Sequence, residues 1–368
     1  MTIVVAGAGI VGLSIAYELA SRGARVQVID PRGIGQGATR ASAGMLAPYI
    51  EGHFSDLLTL GVHGLERYDA FVQRVCADAG RNVEIARNGT LQVALGAGEA
   101  QALQAAAATL AAHGVDHQLL DAAAARHAEP GLSACTAAAL LVPMHGYVAA
   151  QALAAALADA ASRHGAILTT GRVSSVDDTG RGVRVTTDDG IVEADAVVIA
   201  AGSWSSALVR PGAAAPGAGA LVKPIRGQLL HLRLPNPPVT RVLWGGGCYI
   251  VPWRDGTVLV GATVEDAGFD EHATAAGVRQ LLDAAITLLP VLGSARFQDV
   301  RVGLRPLLAG ELPALGRSTT MRHVFYAIGH YRSGVLLAPL TAQLLADLVL
   351  DGQEGPDLAL VRPARVGL

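Results

Sequence analysis

TIVVAGAGIVGLSIAYELASRGARVQVID, residues 2–30, decides the fold. Thr2 to Ala6 is a β-branched run of the kind that makes a strand buried on both faces. Gly7-Ala8-Gly9-Ile10-Val11-Gly12 follows and matches G-x-G-x-x-G. From Ile10 to Arg22 apolar residues recur at helical spacing, and Gly23 sits where such a helix stops. Arg25 to Ile29 reads as a second strand, with Asp30 at its end, 18 residues beyond Gly12. Each part has a physical task. Gly7 permits the tight turn, Gly9 lets backbone approach a pyrophosphate, and Gly12 lets helix and strand pack closely. The helix N-terminus offers unpaired N–H groups and the positive end of a dipole to phosphate. Asp30 is placed to accept hydrogen bonds from an adenosine ribose. The glycine pattern alone is a weak signal; strand, turn, helix, strand and acid in register make it a strong one. It does not separate nicotinamide from flavin dinucleotides.

Working outward, the chain has 368 residues, enough for two domains, with 51% hydrophobic residues to build a large core and exclude disorder. Acidic residues outnumber basic ones, 31 to 28, so the net charge of −3 argues against a nucleic-acid partner. A single lysine, Lys223, stands among those basic residues, which we read as genomic base composition. No eighteen-residue apolar run passes without strong interruption, so no integral membrane segment is expected. The apolar N-terminus lacks a basic start and is explained by the dinucleotide unit rather than by a leader. Cys76, Cys135 and Cys248 show no C-x-x-C spacing. We therefore expect no metal site, at most one disulfide, and reduced thiols in a cytoplasmic protein. Of His53, His63, His113, His117, His127, His164, His272 and His323, most are expected at the surface.

Three further segments carry the same logic. Gly33 to Leu46 is rich in glycine and hydroxyls (Thr39, Ser42), a composition suited to wrapping a ligand with backbone N–H groups. Asp195 to Ala200 reads as a buried strand running into Ala201-Gly202-Ser203-Trp204-Ser205. Before it, Val148 to Arg163 has helical spacing, and Val183–Thr187 and Ile191–Ala194 suggest a hairpin turning at Asp189-Gly190. Val324 to Ile328 is a strand, Gly329 to Gly334 a turn, and Val335 to Leu350 a helix. That last unit would aim a second helix N-terminus at the same site, which suits an anionic flavin ring.

Taken together, the ordered set G-A-G-I-V-G, T-R-A-S-A-G-M, A-A-G-S-W-S, G-L-R-P and G-H-Y-R-S-G-V-L-L-A-P resembles the FAD-dependent D-amino acid oxidase superfamily. Within it the chain is most similar to the glycine oxidase (ThiO-type) branch linked to thiamine thiazole synthesis, and the likeness runs from Ile3 to about Leu350. The resemblance implies an α/β (α+β overall) architecture. A discontinuous Rossmann-like FAD domain with a parallel sheet (1–85, 144–220 and 303–368) would carry a substrate domain with a mixed, largely antiparallel sheet (86–143 and 221–302). The proline- and glycine-rich stretch 211–219 would be a crossing between them. It implies FAD contacts from Gly7, Gly9, Ile10, Val11, Gly12, Asp30, Pro31, Ala38, Thr39, Ala43, Gly44, Met45 and Val173. Further contacts are implied from Ala201, Gly202, Trp204, His330, Tyr331, Arg332, Ser333, Gly334, Val335 and Leu336. The C-terminal motifs hold no cysteine, so the FAD is expected to be non-covalent.

Tyr249, Arg305 and Arg332 stand out as substrate residues, because arginine can grip a carboxylate with two parallel hydrogen bonds and a phenol can add a third. Such a clamp fixes where the substrate Cα–H points. By resemblance, Arg305 and Tyr249 hold the carboxylate, Arg332 lies nearby, and Met45 also faces the substrate. The implied reaction transfers hydride from Cα to flavin N5, giving an oxo acid (glyoxylate from glycine), ammonia and, with molecular oxygen, hydrogen peroxide. Gly247 and Val264 stand where a relative carries histidine and methionine, so a larger D-amino acid or N-alkyl glycine would fit. Two other readings stay open: a dehydrogenase of the same fold serving a quinone or carrier, and a protein that retains FAD without catalysis. The resemblance further implies a homotetramer.

Overall fold

A computed structural model describes residues 1–50, 55–209 and 220–368. The segment 211–219, read above as a crossing, lies outside the described residues. Thr2–Ala6, Ile10–Ser21 and Arg25–Asp30 form the strand, helix and strand expected, and the two strands pair in parallel. They belong to a six-stranded sheet ordered Ala314–Arg317, Val324–Ile328, Ala196–Ile199, Thr2–Ala6, Arg25–Asp30, Ile167–Thr170. Its strands are parallel except for the first pair. β-Branched and aliphatic residues on both faces make this a doubly covered sheet. One face packs under helices Ile10–Ser21, Asp56–Ala79, Ala150–Arg163 and Gly334–Asp351. The other lies under a three-stranded antiparallel sheet, Val173–Asp178, Val183–Thr187 and Gly190–Ala194. There the hairpin turns one residue earlier than expected: Thr187 pairs with Gly190, leaving Asp188-Asp189 as the loop.

A second, eight-stranded sheet runs Arg296–Leu307, Lys223–Arg233, Thr257–Gly261, Cys248–Pro252, Val242–Gly245, Thr90–Ala94, Ala138–Val142, Gln118–Asp121. It is antiparallel except where Val242–Gly245 meets Thr90–Ala94, and helix Ala275–Leu288 packs on it. The mixed α/β architecture is the one anticipated. Strand Arg296–Leu307 is continuous across position 303, so residues 303–307 lie in the antiparallel sheet.

The glycines of the first turn are required by backbone crowding. A Cβ on Gly12 would fall 2.0 Å from the Gly7 carbonyl oxygen, and one on Gly7, at φ +119°, would fall 2.4 Å from that of Ala200. Helix Gly334–Asp351 carries Pro339, which cannot donate to the carbonyl of Val335. The buried phenol of Tyr68 donates to that carbonyl instead, at 3.0 Å, so the proline costs the helix no unsatisfied buried acceptor. This helix is long and apolar enough to cross a membrane, unlike the sequence expectation. Its apolarity is accounted for by burial: 13 of its residues are buried in the core beneath the parallel sheet. The three cysteines are free thiols. Among the described surface histidines, none is buried.

Candidate active site

The C-terminal ends of the parallel strands and one edge of the antiparallel sheet open into one cavity of about 860 Å³, within the range of cofactor sites. Every residue proposed for cofactor or substrate lines it except Gly12, whose neighbour is the Gly7 carbonyl. Gly12 therefore shapes the turn instead of facing the ligand.

Two helix N-termini meet this cavity. Helix Ile10–Ser21 starts at Gly9 without a side-chain cap. Its Ile10 N–H donates to Thr39 Oγ1 at 3.0 Å, and the first helical bond is Leu13 N–H to Gly9 O. The N–H of Val11 precedes that bond and is left for an anion. Helix Gly334–Asp351 likewise starts without a side-chain cap at Ser333. Asp30 is fixed by its own backbone surroundings: Oδ2 accepts from Ala8 N–H at 2.8 Å, and Oδ1 accepts from Arg32 and Gly33 N–H. A carboxylate so oriented keeps lone pairs for a ribose. At Gly9 a Cβ would meet only the Thr39 hydroxyl, at 3.5 Å, so bare backbone faces the cavity there. Two helix N-termini without a side-chain cap of their own, a fixed carboxylate and bare backbone in one cavity fit the pyrophosphate, the ribose and the reduced, anionic flavin ring of FAD.

The opposite end of the cavity is built on the antiparallel sheet. Tyr249 lies opposite Gly261, and a Cβ on Gly261 would fall 2.3 Å from the phenol oxygen. Arg305 crosses over Gly227, where a Cβ would fall 2.5 Å from Cζ, Nη1 and Nη2. Two missing methyls thus make room for the two side chains. Arg305 Nη1 donates to the Thr263 carbonyl at 3.0 Å. That carbonyl is itself held. Thr263 Oγ1 accepts from the buried Gln228 N–H and donates to Glu265, and Glu265 is paired with the buried Arg226 at 2.6 Å. Burial raises the Tyr249 phenol pKa, and the cations of Arg305 and Arg332 oppose that rise. Its ring stacks on Trp244, centroids 5.6 Å apart. His330 is buried, its Nε2 within hydrogen-bond distance of Thr341 Oγ1 (3.1 Å), and burial lowers its pKa to about 4. The carboxylates lining the cavity, among the described residues, are Asp30 and Glu271.

Trp244, Gly227, Gly261 and Glu271 were missed by sequence reasoning, because each acts through a strand register or loop crossing that no local motif encodes. Trp204, more often core by residue type, stands at the cavity wall with Arg32 over its ring.

This fold and cavity define a flavin-dinucleotide oxidoreductase. The model of the family of FAD dependent oxidoreductases (DAO) matches residues 2–348, and the chain belongs to that family. Its members' FAD is the cofactor of this chain. Over 361 residues it is 35% identical to a glycine oxidase of Geobacillus kaustophilus, covering 97% of this chain and 95% of that one. The crystal structure of glycine oxidase from Geobacillus kaustophilus superposes with a TM-score of 0.92 at 34% identity, covering 98% of this chain and 97% of that one. A bifunctional protein ThiO/ThiG of Nostoc sp. is 36% identical over 97% of this chain, which spans 54% of that protein. The structure of an iminodiacetate oxidase from Chelativorans sp. superposes with a TM-score of 0.88 at 28% identity, over 98% of both chains.

Proposed function

We propose that the chain is an FAD-dependent oxidase of glycine or a closely related small amino acid, giving oxo acid, ammonia and hydrogen peroxide. The observation that carries it is the joining of Arg305, Tyr249 and Arg332 with the dinucleotide-binding segments in one cavity. Bound there through Gly7 to Val11, Asp30, Pro31, the 38–45 loop, Val173, the 201–204 turn and residues 330–336, FAD supplies the acceptor for two electrons from the substrate Cα–H. Arg305 grips the carboxylate, and its tie to Thr263 fixes the guanidinium plane. Tyr249, kept protonated by burial, donates to the same carboxylate. Met45 closes the wall beside them. The cations of Arg305 and Arg332 disfavour a neighbouring ammonium, so they hold the substrate amine in its uncharged, reactive form. No carboxylate base is needed at that end, and orientation supplies much of the rate.

The two sheets supply a cofactor domain and a substrate domain with the division given above, except that the seam lies after Leu307. Gly247 and Val264 line the cavity and leave space beside the clamp, and iminodiacetate, the substrate named for one relative, is itself an N-substituted glycine. Oxygen as acceptor, thiamine thiazole synthesis as the setting, a cytoplasmic location and a homotetramer complete the proposal; light scattering tests the last. The decisive experiment mixes anaerobic holoenzyme with glycine, sarcosine, D-alanine and D-proline, then admits air. Loss and rapid return of the flavin absorbance with peroxide supports the oxidase. Failure of all four to bleach the flavin overturns the substrate class, and reoxidation over minutes overturns oxygen as acceptor.

A further inference from the structure

We propose that Arg32, Trp204 and Glu271 form a latch across the dinucleotide end of the cavity that slows the release of FAD. Arg32 follows strand Arg25–Asp30, two residues after the carboxylate assigned to the ribose. Its Nη1 reaches both carboxylate oxygens of Glu271, at 3.1 and 3.0 Å, across 239 positions of sequence. Glu271 lies between strand Thr257–Gly261 and helix Ala275–Leu288, on the side of the antiparallel sheet. The guanidinium carbon of Arg32 stands 5.0 Å from the ring centroid of Trp204, and Trp204 in turn meets Phe269, centroids 5.8 Å apart. One ion pair, one cation–π contact and one aromatic contact therefore join three chain segments around the dinucleotide end. Arg32, Trp204 and Glu271 all line the cavity that Asp30 and Val173 also line.

The two halves of the latch differ in stiffness. Asp270, beside Glu271, is fastened by the buried Arg226, whose Nη1 also donates to the His272 carbonyl. The Glu271 side is thereby pinned to the antiparallel sheet. Arg32 and Glu271 keep 39% and 31% of their side-chain surface exposed, so the pair can part without unpacking the core. An exposed pair of this kind adds little to folding. Placed across the cleft that the cofactor must leave by, the same small energy acts on an exit rate. The inference concerns FAD retention and stands whichever amine is oxidised.

The test is a double-mutant cycle on the holoenzyme with Glu271→Gln, Arg32→Gln and the pair together, following the rise of flavin fluorescence as FAD leaves after dilution. Each single variant should release FAD about two- to fivefold faster than the parent at 50 mM salt. The double variant should match the faster single within twofold, because both remove the same contact. At 1 M salt, where screening acts within about 3 Å, parent and variants should converge on the charge-dependent part. Single variants within 1.5-fold of the parent, or a double variant showing the product of the two single effects, overturn the latch. Both side chains are partly exposed, and equal melting temperatures of the apoproteins will show that folding is untouched. Purified protein that neither carries nor takes up FAD would refute the cofactor assignment itself, a different outcome from unchanged release rates.

Discussion

Replacing Gly227 by alanine tests the substrate clamp at the cost of one methyl. The new Cβ would fall 2.5 Å from Cζ, Nη1 and Nη2 of Arg305, whereas ordinary contact begins at 3.4 Å. The guanidinium, the free end of a flexible side chain, must retreat by about 0.9 Å. It then leaves its 3.0 Å bond to the Thr263 carbonyl and tilts away from the carboxylate position. A misplacement of about 1 Å in a positioning contact costs on the order of 100-fold in rate, or about 2.7 kcal/mol of transition-state stabilisation. We expect kcat/KM for the best substrate to fall about 30- to 100-fold. The strand itself should tolerate the change. Gly227 has no left-handed backbone, and alanine narrows the unfolded ensemble, so the melting temperature should stay within about 3 °C of the parent. FAD content and the flavin spectrum should be unchanged. Steady-state kinetics with peroxide detection, beside thermal melting and flavin absorbance, gives all three readouts. If kcat/KM stays within threefold of the parent, Arg305 is not the carboxylate anchor. If flavin is lost as well, the strand and not the clamp was disturbed.

Tyr249→Phe keeps the ring on Trp244 and removes one donor to a charged group; KM should rise on the order of tenfold with kcat little changed, and an unchanged KM would place the phenol outside the substrate site. Gly12→Ala should abolish folded, yellow protein, since its Cβ would fall 2.0 Å from a backbone oxygen that cannot yield; soluble holoenzyme in normal amount would contradict the packing described. Burial lowers the pKa of His330 to about 4 and that of His145 to about 3, both below the ordinary value of about 6.5. From pH 6.5 down to about 4 the unfolded chain therefore binds protons that the native chain refuses. This stability is complete above pH 6.5 and is lost on acidification, by about 1.4 kcal/mol per pH unit for each histidine. Urea midpoints at pH 7 and 5 measure it, and His330→Asn should flatten the slope by one proton; an equal slope in the variant would show that His330 titrates normally in the fold.

The cofactor side of this protein was largely legible in its sequence, because the binding of a dinucleotide by backbone leaves a local imprint. Gly7 and Gly12 stand at their offsets because one turn brings backbone to 2.4 and 2.0 Å from where their Cβ atoms would be, and Gly9 between them leaves bare backbone facing the cavity. Asp30 stands where the next strand ends because the two strands are neighbours. The last unit, Val324–Ile328 with helix Gly334–Asp351, could be read for the same reason. Legibility failed where the determinant is a register. Nothing around Gly227 says that it lies under Arg305, 78 residues later, until the two long strands are paired. Trp244 meets Tyr249 only through the pairing of their strands, and Glu271 finds Arg32 only when the two sheets come together. The G-L-R-P motif, grouped with the cofactor segments by resemblance, sits on a strand of the antiparallel sheet for a related reason: its place is fixed by pairing with the distant strand Lys223–Arg233.

Glycine does two different jobs in and behind the one cavity, and the difference bears on how such a site can change its substrate. At Gly7 and Gly12 the missing Cβ makes room for backbone. Backbone cannot move aside, so those positions are closed to substitution without loss of the turn. At Gly227 and Gly261 the missing Cβ makes room for the ends of Arg305 and Tyr249. A methyl there would displace a side chain and leave the sheet standing. The cofactor end is thus locked by the main chain, and the substrate end is adjustable by single small substitutions on neighbouring strands. The exposed Val264 extends that adjustable region along the same wall, whereas Gly247, at φ +84°, has open space beside it but a left-handed backbone that resists a side chain. Substitutions at Gly227 and Gly261 should therefore alter how the substrate is held while leaving the dinucleotide turn in place, whereas substitutions at Gly7 and Gly12 should cost the turn itself.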